Sequence, residues 1–401
     1  MTAPVVRAPE TDDELRECVR IAARGFNGAL DDKSIDEWLP KLHRDRSLAV
    51  FVGDLPVAWS QVRPFGQFFG GRSVPMGGYS PVVVAPEHRG RGYGSVATAA
   101  HFPLLRERGE VIAGLYPAQT QLYRGSGFEV AGALTHRTVP TRSLQRLRPA
   151  GHVTVRRGGQ DDLPAIQACY RRFAATQDGW LDRPDVWWTN RIFEPGKLHE
   201  QHLYLVDGEG GAGLAGYLRY THRAAEPHGY TIVVEDLCAE EPDVALALWR
   251  LVGSSSTQAE RAQVPGPPEH PLLLQLPDQD LTTIDEIRWM LRVVDAPGAV
   301  AARGFPPAVR ATVDLEVTDR QCDWNGGHWR LTVEDGSGVL AKGGSGDVAL
   351  TINALSCLYS GYGSPTVLRQ AGLIAPGASV RALADLAAVF SGPTPSIADF
   401  Y

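Results

Sequence analysis

Between Val82 and Gly94 the chain reads VVVAPEHRGRGYG. The spacing predicts a strand ending at Val84, a turn containing Gly90, Gly92 and Gly94, and a helix opening near Gly92. Amide groups at a helix start have no intrahelical acceptor, and the helix dipole favours negative charge there. Glycine lets an anion come close to the backbone, and Arg89 and Arg91 add positive charge. The chemistry this suggests is the holding of a phosphate. Two known phosphate loops fit poorly. The Gly-Lys-Ser/Thr of a P-loop is missing, and the glycines follow Gly-x-Gly-x-Gly instead of the dinucleotide pattern. On spacing alone, a turn that uses glycine only for its conformation fits equally well.

The elements around this loop set its position. TDDELRECVRIAARGF has an acidic start and apolar residues at helical spacing, Leu15, Val19 and Ala22. SLAVFVGDLPVAWSQV reads as two strands about a Gly53-Asp54 turn, GGYSPVVV as a third, and VIAGLY as a buried strand. SVATAAHFPLLRERG is a helix ending in basic residues and glycine. LYRGSGF is a short helical turn, and THRTVPTRSLQ returns to extended chain.

The same order recurs about 150 residues later. GGQDDLPAIQACYRRF, HLYLVDGEGGAGLAGYLRY and GYTIVVEDLCAEEPDVALALWRLV repeat helix, paired strands, and strand-loop-helix. Where the first copy has APEHRGRGYGS the second has EDLCAEEPDVA, which would repel phosphate. Turn-rich PGPPEHP and VDAPGAVAARGFPP precede a third segment of strands (ATVDLEVTD, GHWRLTVEDG, DVALTINAL) and helices. The expected division is 1–150, 151–292 and 293–401, of mixed α/β (α+β) class. The 401 residues suit two or three cores. A net charge of −7 disfavours nucleic acid. No apolar run approaches the roughly 18 residues of a membrane span, and the start lacks a signal-peptide core. Five scattered cysteines suit a reducing compartment, without disulfides or metal. The expectation is a cytoplasmic protein with no membrane partner. The ending SIADFY is unlike a frayed polar tail and is expected to be tucked in.

Arg89-Gly90-Arg91-Gly92-Tyr93-Gly94 resembles the R/Q-x-x-G-x-G/A signature of the GCN5-related N-acetyltransferases (GNAT), and LYRGSGF their YxxxGF element. Two such units, a segment similar to a sterol carrier protein and the aromatic end together resemble the enhanced intracellular survival (Eis) family across the whole chain. The resemblance implies acetyl-CoA as co-substrate and direct transfer of acetyl to a primary amine in a ternary complex, with no metal; the EDLCAEEPDVA of the second copy adds the expectation of one acetyl-CoA per chain. It gives the pyrophosphate to residues 89–94, the acetyl carbonyl to Val82, the pantetheine arm to Val84 and the strand Val82-Val83-Val84, and places Tyr123 as proton donor to the departing thiolate. It makes the α-carboxylate of Tyr401 a base or an amine anchor, and implies a homo-hexamer.

The amine pocket is assigned to Phe26, Trp38 and Ser80, near Asp36 and Glu37; Trp38 fits a cation-stacking or a core role equally. The candidate acceptors are aminoglycoside-like or lysine-like amines; Phe400 is apolar, so only Asp399 offers an acid beside the terminus, which argues against strong affinity for polycationic aminoglycosides. Trp187 and Trp188 suit either the pocket or the core. His88 is expected to face solvent, and Cys18 and Cys169 to be core residues. Two alternatives keep the fold: acyl transfer to another metabolite amine, or lipid binding by the third segment beside a vestigial transferase.

Overall fold

The computed structural model describes residues 3–26, 28, 30–194, 198–225 and 228–401. The first unit runs β1 (Val5–Arg7), α1 (Asp12–Gly25), α2 (Asp32–Trp38), β2 (Ser47–Val52), β3 (Leu55–Phe69), β4 (Arg72–Val84), α3 (Tyr93–Ala99), α4 (His101–Glu107), β5 (Ile112–Leu115), α5 (Thr120–Arg124) and β6 (Glu129–Pro140). Thr11 caps α1 by accepting the Glu14 amide, ahead of an acidic first turn that suits the helix dipole. Alternation along β3 sends Trp59, Arg63 and Phe65 to one face and Ser60 and Val62 to the other. Helices α3 and α4 cover the second face, where Ser60 donates to Ala97 O at 3.1 Å. Helix α1 covers part of the first face, with Leu15, Cys18 and Val19 in one core with Trp59 and Val83.

The second unit contains β7 (Arg156–Arg157), β8 (Leu181–Asp182), β9 (Gln201–Asp207), β10 (Leu214–Ala224), β11 (Tyr230–Ala239), β12 (Arg261–Gly266) and β13 (Thr282–Val293). The two units share one sheet in the order β1-β2-β3-β4-β5-β13-β6-β12-β11-β10-β9-β7, with β8 on β3. Each unit therefore places its last strand beside the other's splayed strand: β13 pairs with β5, and β6 pairs with β12. The exchange leaves neither β5 nor β12 as an open edge. No local pattern marks 282–293 as a strand, because TTIDEIRWMLRV is polar for its first half and apolar only where it enters the first unit, a burial switch that neither unit alone dictates.

The third unit is a four-stranded sheet, β14 (Ala311–Thr318), β15 (Gly327–Glu334), β16 (Ser337–Lys342) and β17 (Val348–Thr351), in the order β16-β15-β14-β17, packed by helices Ile352–Ser360 and Val380–Val389. It is anchored to the first unit by Arg292 on β13. This arginine pairs with Asp319 at 2.8 Å and lies over the Phe102 ring at 4.3 Å, both within the buried interior. All five cysteines are buried and free, as expected for Cys18 and Cys169.

Candidate active site

β4 and β5 run parallel but pair only from Met76–Ile112 to Gly78–Gly114. Beyond that point they separate. One residue is bulged in β4 against β3, between the pairs Val62–Tyr79 and Ser60–Val82, and half-buried Ser80 sits in the bulge. The diverging strand carries Val82, Val83 and Val84 along a cleft of 620 Å³. Val83 is buried against α1, whereas Val82 and Val84 face the other way, toward Leu122, Tyr123 and Tyr93.

The cleft ends at the glycine turn. Gly90 (φ 75°) and Gly92 (φ 79°) are left-handed, and a Cβ at either would meet nothing within 4 Å, so conformation and not crowding requires glycine. Gly92 is the N-cap of α3, and no side chain caps that helix. Its first amides are thus open to an external acceptor. Arg89 donates to Val84 O at 3.4 Å, and Arg91 approaches the His88 ring at 3.5 Å. His88 is half-buried and lines the cleft, contrary to its expected solvent-facing position: its ring lies 6.4 Å from that of Tyr93.

Tyr123 lines the cleft from α5, with its ring edge-on to Phe128 at 6.0 Å. Burial pushes its phenol up to about 12, so it keeps its proton throughout the physiological range. The third unit braces this turn. Asn353 donates to Arg124 O at 3.0 Å and to Phe128 O at 2.8 Å, and Arg124 pairs with Glu129 at 2.8 Å.

The last residues thread between the units. Ser396 N donates to Asp178 O at 3.0 Å, and Trp180 Nε1 donates to Ser396 Oγ at 3.2 Å. Asp399 O accepts the Tyr116 hydroxyl at 2.9 Å, and the Phe400 ring lies 4.6 Å from the Tyr116 ring. Tyr401 then enters the opening of the splay, 5.2 Å ring to ring from Phe65. A Cβ on Gly78 would stand 2.9 Å from its ring, and one on Gly114 2.7 Å from its hydroxyl oxygen, so glycine at both positions makes the room. That oxygen is buried without a hydrogen-bond partner among the described residues, and burial, then the Asp399 charge, raises its pKa.

Asp399 is the latch of this tail. Its carboxylate accepts from Arg183 Nε at 3.0 Å and from Trp187 Nε1 at 3.1 Å. Arg183 also grips Asp236 at 2.8 Å, and Asp236 accepts from Arg219 at 3.3 Å. The Arg183 side chain is 1% exposed. Burial opposes charge on Asp236, but Arg183 and Arg219 outweigh it and hold its pKa below the usual carboxylate range. Two positive and two negative groups thus neutralise one another away from water, the condition under which buried charge is tolerated. Asp399 and Trp187 stand out in the sequence, but Arg183, Arg219 and Asp236 do not; an acid and two arginines in unrelated segments give no local signal.

Of the residues assigned to an amine pocket, Phe26 lines the cleft at the end of α1, 61% exposed. Trp38 does not line it. Its ring is 47% exposed on α2, with Lys41 Nζ at 6.0 Å. Asp36 is engaged by Arg16 at 3.0 Å. The side of the splay where Tyr401 sits is instead bordered by Trp187, 5.3 Å from Phe65, while Trp188 packs within the second unit, edge-on to Tyr170 and stacked with Phe193. Arg63 and Arg191 each lie 5.9 Å from the Trp187 ring, and neither has a carboxylate partner among the described residues. Burial, then Arg191, lowers the pKa of Arg63.

A splayed parallel strand pair, a glycine turn at a helix start and a tyrosine on the cleft wall define an acyl-CoA-dependent acyltransferase. Residues 7–131 and 179–293 each match an acetyltransferase (GNAT) domain family, and 296–398 a sterol carrier protein domain family. The chain is 31% identical to a GCN5-related N-acetyltransferase from Kribbella flavida, with a TM-score of 0.87 over 100% of this chain and 98% of that one. It is 25% identical to a GCN5-related N-acetyltransferase from Anabaena variabilis, with a TM-score of 0.91 over all of both chains. It is also 26% identical to the N-acetyltransferase Eis of Mycobacterium tuberculosis over 96% of each. The chain belongs to the GCN5-related N-acetyltransferases, in their Eis-like form of two such units followed by a sterol-carrier-like unit.

Proposed function

We propose that the first unit transfers acetyl from acetyl-CoA to a primary amine by direct attack in a ternary complex. The observation that carries this reading is the continuity of the site: one cleft joins the open amides at Gly92 to Val82–Val84 and Tyr123, and the tail ends at the splay where that strand diverges. In this reading residues 89–94 hold the pyrophosphate, and the unpaired edge of β4 lines the pantetheine arm. A backbone amide at Val82 stabilises the negative charge that grows on the acetyl oxygen. The amine nitrogen forms its bond to the acetyl carbon as the carbon–sulfur bond breaks. Tyr123 gives its proton to the sulfur, and the proton lost by the amine passes to the main-chain carboxylate of Tyr401 directly or through water. A carboxylate of ordinary pKa is a weak base for an ammonium, so anchoring the cation is an equal part of its role.

Arg63 and Arg191 beside Trp187 favour a lysine-like acceptor over a polycationic aminoglycoside, since like charges on a small site repel. The lipid-binding alternative draws less support: a recess of 770 Å³ in the third unit is lined mainly by polar and charged groups, among them Asp314, Arg330, Asp347, Arg381 and Asp385, with Val313 and Ala382 the apolar exceptions. That unit instead braces Tyr123 through Asn353 and carries the tail. Among the described residues no helix is long and apolar enough to cross a membrane. Cytoplasmic location and a hexamer complete the reading; light scattering tests the hexamer, and a monomer mass would reject it. The test of function is CoASH release from acetyl-CoA across mono-, di- and polyamines. Saturable release with lysine-like amines supports the proposal, and none with any amine rejects it.

A further inference from the structure

The second unit keeps the splay and discards the phosphate loop. β11 and β12 run parallel but pair only at Ile232–Ala262 and Val233–Gln263. Beyond those pairs lies a cavity of 430 Å³. Phe173, Trp180 and Trp249 form apolar walls, with the first two rings 5.3 Å apart and edge-on. Glu240 and Pro242 stand where the first unit has its glycine turn, so the loop that would cradle a CoA pyrophosphate is missing. No lysine or arginine is among the lining residues described, but three carboxylates are. Arg183 and Arg219 neutralise Asp236, and Arg172 pairs with Glu240 at 3.3 Å. Glu235 is left with the Thr221 hydroxyl at 3.5 Å. Gln275 Oε1, also in the wall, is buried without a donor. His270 accepts the Leu272 amide at 3.2 Å, and burial lowers its pKa to about 3, so it brings no positive charge.

We propose that this cavity binds an apolar organic ammonium, with its hydrocarbon among Trp180, Trp249 and Phe173 and its N–H directed to Glu235 and Gln275. Aromatic walls attract a cation through the ring quadrupole, and the uncompensated carboxylate adds a direct charge pairing. Ala398 belongs to the same wall, next to the Asp399 latch, so the ligand touches the tail that closes the first unit's site. This inference does not depend on the acetyl-transfer reading.

The test uses the full chain and N,N-dimethylphenethylamine, which is cationic at neutral pH, keeps one N–H and forms no stable amide. Tryptophan emission and calorimetry follow its binding. The expected result is a single saturable site, with 3-phenylpropionate bound at least about tenfold more weakly. Glu235→Gln, nearly isosteric, should weaken the amine about tenfold, and Ala245→Phe should fill the cavity and abolish binding. Absence of saturable binding, equal affinity for the carboxylate, or wild-type affinity in either variant overturns the proposal.

Discussion

Asp399→Asn probes the latch with little change of shape. The substitution leaves Arg183 and Arg219 sharing the single charge of Asp236, so one positive charge is uncompensated in the interior. Breaking a buried pair in this way costs roughly 3–5 kcal/mol. Against it stand the gains of seating the last two rings, roughly 1.5–3 kcal/mol each at full burial. Phe400 is 53% exposed and contributes less than that. The penalty is therefore as large as the force that holds the tail. Release of the tail is also the cheapest relief, because it lets water reach Arg183 without unfolding a domain. At tenfold per 1.4 kcal/mol, a shift of about 3 kcal/mol lowers the docking equilibrium constant by about two orders of magnitude. The expected outcome is a fall in kcat/KM for the amine of up to about 100-fold, with acetyl-CoA affinity close to that of the wild type. The assay is CoASH release together with calorimetry of acetyl-CoA. Wild-type turnover by the variant would refute the view that the buried quartet holds the tail in place.

Tyr123→Phe should lower kcat by about 100-fold or more, in the range of general acid catalysis, while acetyl-CoA binds as before; an unchanged kcat removes the acid role. Calorimetry should find one acetyl-CoA per chain, because the second splay presents Glu240 and Pro242 where the first has glycine, and two equal sites would contradict this. Burial lowers His101 from 6.5 to about 4. The unfolded chain takes up that proton first as the medium is acidified, so stability is lost between those values and not above them, by up to about 3 kcal/mol. Denaturation of His101→Gln should show a smaller loss from pH 7 to 4.5 than the wild type, and an equal loss would dismiss the argument.

The helices, the hairpin about Gly53 and the glycine turn were legible because each is written in local spacing. That Val82–Val84 and Tyr123 border one cleft was legible through two short motifs. What escaped is long-range. The strand at 282–293 is apolar only where the other unit buries it. Trp38 looked equivalent to Trp187 in composition, yet only Trp187 meets Phe65 and Asp399, a pairing set by how the second unit docks. The roles of Arg63 and Arg183 depend on the same docking. Asp399 was noticed for its place beside the terminus, but its side chain turns inward to Arg183 and is not offered to an acceptor.

The most direct measurement compares amine-dependent CoASH release by the full chain and by a chain lacking Phe400 and Tyr401. The account predicts saturable release by the first, and loss of turnover by the second with acetyl-CoA still bound. Equal release by both, or none that depends on the amine in the full chain, would contradict it.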